Sequence, residues 1–337
     1  MGFVDDCIMS KPEQSAKIDI SALIIDLSER VPDPQPIVRI RGNLIASRGN
    51  VSAVVGLAKS RKTFLTCAVA SGFLSDSEFM GFDTPATGKV VYIDTEQSKA
   101  HVHKIARRIL RSIGLPTDRN HDKLIVAALR ELTPDQRKEV TSEILRRYKP
   151  DLLILDGVAD LCNDPNDLHE SEALTCELMR WSSEYDNHIL CVLHSNPGGE
   201  KARGHLGSAL LRKAETVMLV KADSATSVVS PQYCRNEPFS EFAFQINAAG
   251  LPEPCGLPAP QPKEDVFAEV MESGKVYSHS ELAELIRERL NVKESGAKMK
   301  ISRAVKAGNI VKNQAGGYYL PGSQVEVSQP ELHDEPF

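Results

Sequence analysis

"VVGLAKSRKTFLT", residues 54–66, reads as the end of an apolar strand, a tight loop and the start of a helix. A loop of this kind holds phosphate because successive backbone N–H groups and a helix N-terminus point at the anion, with a lysine ammonium and a hydroxyl as further ligands. Gly56 would let the chain turn, Lys62 would meet the β and γ phosphates, and Thr63 would meet Mg²⁺. Lys59, Ser60, Arg61 and Phe64 complete the segment that would surround a nucleotide. One residue breaks the usual pattern: the position before the lysine is commonly glycine, which accepts left-handed backbone and close approach, and here it is Arg61. The string by itself leaves three readings open, namely a nucleotide site with an altered loop, an inactive descendant of one, and a surface turn.

Outward from the loop, "VSAVVG" (51–56), "KVVYIDTE" (89–96), "KLIVAAL" (123–129), "DLLILDG" (151–157) and "HILCVLHSN" (188–196) are short runs rich in Val, Ile and Leu, as buried parallel strands require. The stretches between them have helical apolar spacing, and one opens with Thr133, Pro134 and Gln136 as a capping box. Strand alternating with helix predicts an α/β fold, a doubly wound, mainly parallel sheet with helices on both faces. Ligands bind such sheets beyond the carboxyl ends of the strands, where Asp94, Glu96 and Asp156 all fall. Asp156 ends a fully apolar strand, the place of a carboxylate that holds Mg²⁺; a strand-ending cap of a loop is the plainer alternative.

In order and spacing, "GLAKSRKTF", "VVYIDTEQS", "DLLILDGVADL", "ILCVLHSNPG", "GHLGSALLRKAETVMLV" and "SPQYCRNEPF" resemble the RecA-like ATPases, more narrowly the RepA and DnaB hexameric-helicase branch, and within it the ATPases of Bacteroides-type mobile elements. The resemblance implies ATP and Mg²⁺ as cofactors, DNA as partner, and a homo-oligomer, hexamer or filament. It implies that Glu96 activates the attacking water, that His194 senses the γ-phosphate, and that Arg235 is a finger reaching a neighbouring subunit's nucleotide. It implies further that the loop "SNPGGEKARGHLGS", with Lys201 and Arg203, faces DNA. A backbone-satisfied histidine, solvated loop charges and an ordinary surface arginine are the plainer readings of these residues, and the sequence leaves them open.

Around this core the chain divides into an N-terminal arm (1–38) whose "ALIIDL" predicts one docking helix, the RecA-like domain (39–250), a Pro-rich linker (251–262), a small domain (263–322) and a polar, acidic tail (323–337) expected to be disordered. "AETVMLVKAD", "SATSVVSPQYCRN" and "SEFAFQINAAG" are expected as antiparallel strands at the sheet edge. The small domain shows three helical patterns and two strands around Gly316-Gly317, a winged-helix arrangement. Its last helix presents Lys298, Lys300, Arg303 and Lys306 on one face, either for DNA phosphates or for solvent.

A net charge of −6 over 337 residues gives no global basic field, so any nucleic acid must be held by local patches. Seven scattered cysteines without a C-x-x-C pair, no apolar run of membrane-spanning length and no basic leader predict a cytoplasmic protein with no membrane association. The expected function is ATP hydrolysis coupled to DNA in replication or mobilisation of a genetic element, helicase-like; a nucleotide-sensing DNA-binding regulator without motor activity is the alternative, and a structural adaptor that binds no ATP the third.

Overall fold

The structure, a computed structural model, describes residues 20–197, 199–259 and 265–322, and the chain divides after Pro258 into two compact units. The first unit begins with β1 (Pro36–Ile40), β2 (Asn43–Ser47), β3 (Asn50–Gly56), α1 (Lys62–Leu74), β4 (Phe82–Asp83), β5 (Val90–Asp94), α2 (Lys99–Ser112), β6 (Leu124–Ala128) and α3 (Pro134–Tyr148). It continues with β7 (Leu152–Asp156), α4 (Leu168–Glu184), β8 (His188–His194), α5 (Gly204–Lys213), β9 (Thr216–Asp223), β10 (Thr226–Cys234), β11 (Phe242–Ile246) and β12 (Pro252–Cys255).

A nine-stranded sheet runs in the order β12-β11-β10-β9-β3-β8-β7-β5-β6. The six strands from β9 to β6 are parallel, and β10, β11 and β12 are added antiparallel. Because side chains alternate along a strand, β3 sends Val54 to one face and Ala53 and Val55 to the other. Leu65 of α1 and Ile105 and Ile109 of α2 pack on the first face. Leu145 of α3, Leu178 and Trp181 of α4, and Leu206 and Leu210 of α5 pack on the second. The mostly parallel sheet covered on both faces is the expected α/β, RecA-like architecture. β8 lies between β3 and β7, so the ends of β3 and β7 leave a cleft that His194, at the tip of β8, divides.

Four expectations change. The arm is not helical at "ALIIDL": only Ser21–Leu23 makes a 3₁₀ turn, and Leu23, Ile24, Ile25 and Leu27 are exposed, so no docking helix forms there. The arm also ends early, because β1 starts at Pro36 and joins β2 and β4 in a separate three-stranded sheet. β9 is not an antiparallel edge strand; it pairs parallel to β3 inside the sheet, its Thr216–Val220 half fully buried. The linker begins later than 251, since Pro252–Cys255 is β12, an edge strand where Pro254 donates nothing and need not.

The second unit holds α6 (Val266–Val270), α7 (His279–Leu290), α8 (Glu294–Ala307), and the two-stranded hairpin β13 (Val311–Lys312) and β14 (Tyr318–Tyr319). Ser278 and Glu281 form the capping box of α7, and Gly308, at φ 77°, ends α8 in left-handed backbone. Leu282, Ile286, Ala297, Ile301 and Ile310 make its core. The expected tail, 323–337, and residues 1–19 of the arm lie outside the described residues. Among the described residues no helix is long and apolar enough to cross a membrane.

Candidate nucleotide site

The loop between β3 and α1 closes tightly at both ends. A Cβ on Gly56 would collide with the Val220 carbonyl oxygen and stand 2.6 Å from Ser60 Oγ, so only glycine fits. At the other end Arg61 takes φ 69° and ψ 29°, the left-handed backbone that glycine adopts at less cost. Its guanidinium is held away from the loop: Nη1 donates to the Thr226 carbonyl and Ser227 Oγ, both at 3.0 Å, and Nη2 donates to the Ser224 carbonyl at 2.6 Å. The turn joining β9 to β10 thereby pins the arginine in the conformation the loop needs. Lys59 is also left-handed, at φ 63°.

Lys62 opens α1, buried, with its ammonium donating to the carbonyls of Gly56 and Leu57 at 3.0 and 2.9 Å. Burial pulls its pKa down, with Asp156 and Glu96 opposing. The same ammonium stands 3.2 Å from His194 Nδ1. An ammonium only donates, so Nδ1 accepts and the imidazole proton sits on Nε2. That Nε2 lies 3.5 Å from Glu96 Oε1, and the histidine beside it holds the Glu96 carboxyl below its usual range.

Thr63 Oγ1 donates to Asp156 Oδ2 at 2.8 Å, and Tyr92 donates to the same oxygen at 2.6 Å. Burial pushes the Asp156 carboxyl up to about 6, against those two hydrogen bonds. Asp94, by contrast, turns inward: it accepts from the backbone N–H groups of Glu96 and Gln97 and from the Gln97 amide, building the turn that displays Glu96. Gly157, at φ 97°, leaves the room that Thr95 and Glu96 fill.

Lys59, Arg61, Lys62, Thr63, Glu96 and His194 line one cleft of about 340 Å³ together with Phe64 and Asp156. Several residues of the site escaped the sequence reading, Gln97 and Val192 on its lining among them. Arg108 of α2 places its guanidinium 4.0 Å over the Phe64 ring, and Tyr92 orients Asp156. Alternation along "VVYIDTE" puts Tyr92 on the α1 face and was a usable signal; no local signal marks Arg108. Ser60 is buried, its Oγ without a partner among the described residues.

Residues 17–200 match the family model described as an AAA domain, more than half of the 337-residue chain. The chain belongs to the AAA domain family. No curated protein matches it. As an AAA protein it is a nucleotide-binding P-loop NTPase of the ATPase type. A Mg²⁺ suits the Thr63 hydroxyl and the Asp156 carboxylate, since this ion takes hard oxygen donors, one or two carboxylates completed by phosphates and water. Bound there, it would neutralise charge on the β and γ phosphates.

The other predicted residues of the AAA protein lie elsewhere. Arg235 follows β10, its N–H bonded to the Glu215 carbonyl and its guanidinium to that of Lys213. β10 has carried it to the start of β9, roughly 16 Å of strand from the Gly56 level, so it does not reach its own cleft. Lys201 and Arg203 are exposed on a loop that leaves β8 at His194 and returns to it, the Arg203 N–H donating to the His194 carbonyl at 2.8 Å. On α8, Lys298 pairs with Glu294 at 2.6 Å, whereas Lys300, Arg303 and Lys306 are exposed.

Proposed function

We propose that this AAA protein hydrolyses ATP with Mg²⁺ and couples the turnover to DNA as a homo-oligomer of the RepA and DnaB type. One observation carries the hydrolysis: a lysine at the head of α1, a hydroxyl bonded to a buried carboxylate, and Glu96 with His194 meet in one cleft. Lys62 binds the β and γ phosphates, Thr63 and Asp156 hold the metal, and Glu96, its carboxylate kept ionised beside His194, accepts the proton of the attacking water. His194 touches both Lys62 and Glu96, so a change at the γ-phosphate reaches the base and, through its carbonyl, the Lys201–Arg203 loop.

DNA contact by that loop and by Lys298, Lys300, Arg303 and Lys306 on a winged-helix unit is part of the same proposal, as is Arg235 acting across a subunit boundary. The distance of Arg235 from its own cleft favours a role in trans over one in cis. Turnover measured with and without single-stranded and duplex DNA, beside the mass in solution, tests the proposal. DNA-stimulated hydrolysis by an oligomer is the expected result. ATP binding with no turnover under any condition would favour the nucleotide-sensing regulator, and no ATP binding would overturn both.

A further inference from the structure

The first unit holds a second cavity besides the nucleotide cleft. It is a groove of about 690 Å³ between α2 and β6, the edge strand of the sheet. Lys99, His103, Arg107, Arg119, His121 and Arg130 line it. Among the described residues the side chains of Lys99, Arg107, Arg119 and Arg130 make no hydrogen bond or ion pair, and neither do those of Asp118 and Glu131 on the same rim. With the histidines neutral, four cations against two anions leave an excess of two positive charges in a protein whose net charge is −6.

Two of the four cations, Lys99 and Arg107, stand two helical turns apart on one face of α2, about 12 Å, rather than converging on a point, with His103 between them; the wall of α2 from Lys99 to Leu110 is about 16 Å long. A single phosphate calls for convergent donors, whereas a row of spaced cations suits an extended chain of phosphodiesters. Among the described residues no Phe, Tyr or Trp lines the groove, so base stacking is largely lost and binding falls on the backbone, without sequence preference. A volume in the range that takes a drug-sized molecule suits a short run of single strand rather than a duplex.

The groove also adjoins the chemistry. Gln97 lines both the groove and the nucleotide cleft. Its side-chain amide donates to Asp94 Oδ2 at 2.9 Å, on the carboxylate whose other oxygen holds the Glu96 N–H. Ser98 and Lys99 follow directly and cap and open α2. A strand seated against Lys99 therefore bears on the turn that aims Glu96.

We infer that the α2–β6 groove is a binding track for single-stranded nucleic acid, held through its phosphates by Lys99, Arg107, Arg119 and Arg130, and that Gln97 couples its occupancy to Glu96. Binding to the track is independent of the proposed ATPase activity; the coupling rests on it.

The test uses the full chain and a fluorescein-labelled oligothymidylate, titrated at several salt concentrations without nucleotide. Each phosphate contact on a single strand contributes about 0.7 to the slope of log affinity against log salt, so Lys99→Ala/Arg107→Ala is expected to shallow the slope by about 1.4. Both side chains are exposed, and an unchanged melting temperature and unchanged affinity for a fluorescent ATP analogue would show that fold and nucleotide site persist. In the same variant basal turnover stays at the wild-type value while stimulation by the oligonucleotide is lost. A wild-type slope in the double variant overturns the track, and a loss of binding in Lys201→Ala/Arg203→Ala beside that unchanged slope would assign the strand to the Lys201–Arg203 loop instead. A fall in oligomer mass with an unchanged slope would show that a second copy of the chain fills the groove, and also overturns it. Intact binding with intact stimulation in Gln97→Ala removes the coupling. If ATP binding itself fails in the wild type, the ATPase proposal falls while the slope still decides the track.

Discussion

His194 Nε2 lies 3.5 Å from Glu96 Oε1 while its Nδ1 accepts from the Lys62 ammonium at 3.2 Å. One imidazole thus connects the phosphate-binding cation to the proposed base, and its tautomer is set by the lysine. Replacing it with alanine removes the orienting contact and lets the Glu96 carboxyl rise toward its usual range. His194→Ala should lower turnover by roughly one to two orders of magnitude with little change in ATP affinity, read by steady-state hydrolysis beside equilibrium binding. A loss of affinity equal to the loss of turnover would make His194 a ligand of the ground state only.

Glu96→Gln keeps the shape of the side chain and removes its basicity. Turnover should fall by roughly two to four orders of magnitude with affinity nearly intact. Single-turnover hydrolysis separates the two quantities, and unchanged chemistry would move the base to another carboxylate.

Arg61 couples a strained backbone to three hydrogen bonds on the β9–β10 turn. Arg61→Ala keeps the strain and loses the bonds, so the protein should lose about 2 kcal/mol of stability. Arg61→Gly loses the same bonds and relieves the strain, and should be about 1 kcal/mol more stable than the alanine variant. Urea denaturation of the pair reads the difference. Alanine equal to or better than glycine would mean that the left-handed conformation is not maintained.

Asp156 is buried and its carboxyl lies at about 6 in the folded protein, against about 3.9 in an unfolded chain. Between those values the folded state holds a proton that the unfolded state has released, so this group makes stability fall as pH rises from about 4 to about 6 and adds no further slope above. In metal-free protein kept in chelator, the stability of Asp156→Asn minus that of wild type should grow by about 2 to 3 kcal/mol from pH 4 to pH 7. A flat difference would show that Asp156 is not buried as an unpaired acid. Magnesium-dependent turnover should be lost in the same variant.

The parallel core was legible because its strands are continuous apolar runs and its helices carry capping signals; Thr133 with Gln136 and Ser278 with Glu281 both close as written in the sequence. Lys62, Thr63, Glu96, Asp156 and His194 were legible because each stands where a strand or helix ends on one side of the sheet. What was missed depends on contacts distant in sequence. Arg61 looked like a defect because its partners, Ser224, Thr226 and Ser227, lie more than 160 residues away. β12 was hidden by prolines that an edge strand tolerates. β9 alternates weakly at its exposed end, Lys221 to Asp223, which masked its buried parallel half. "ALIIDL" is apolar enough for a docking helix, yet residues 23–35 are exposed and Leu23, Ile24, Ile25 and Leu27 pack on no surface among the described residues.

The central claim is that residues 56–63 hold a nucleoside triphosphate through Lys62, and an equilibrium titration of a fluorescent ATP analogue with Mg²⁺ into wild type and Lys62→Ala tests it most directly. Loss of a charged hydrogen-bond donor to phosphate predicts saturable binding in the wild type and affinity at least roughly a hundredfold weaker in the variant, with both proteins melting as folded chains. Equal affinity in the two proteins would contradict the claim.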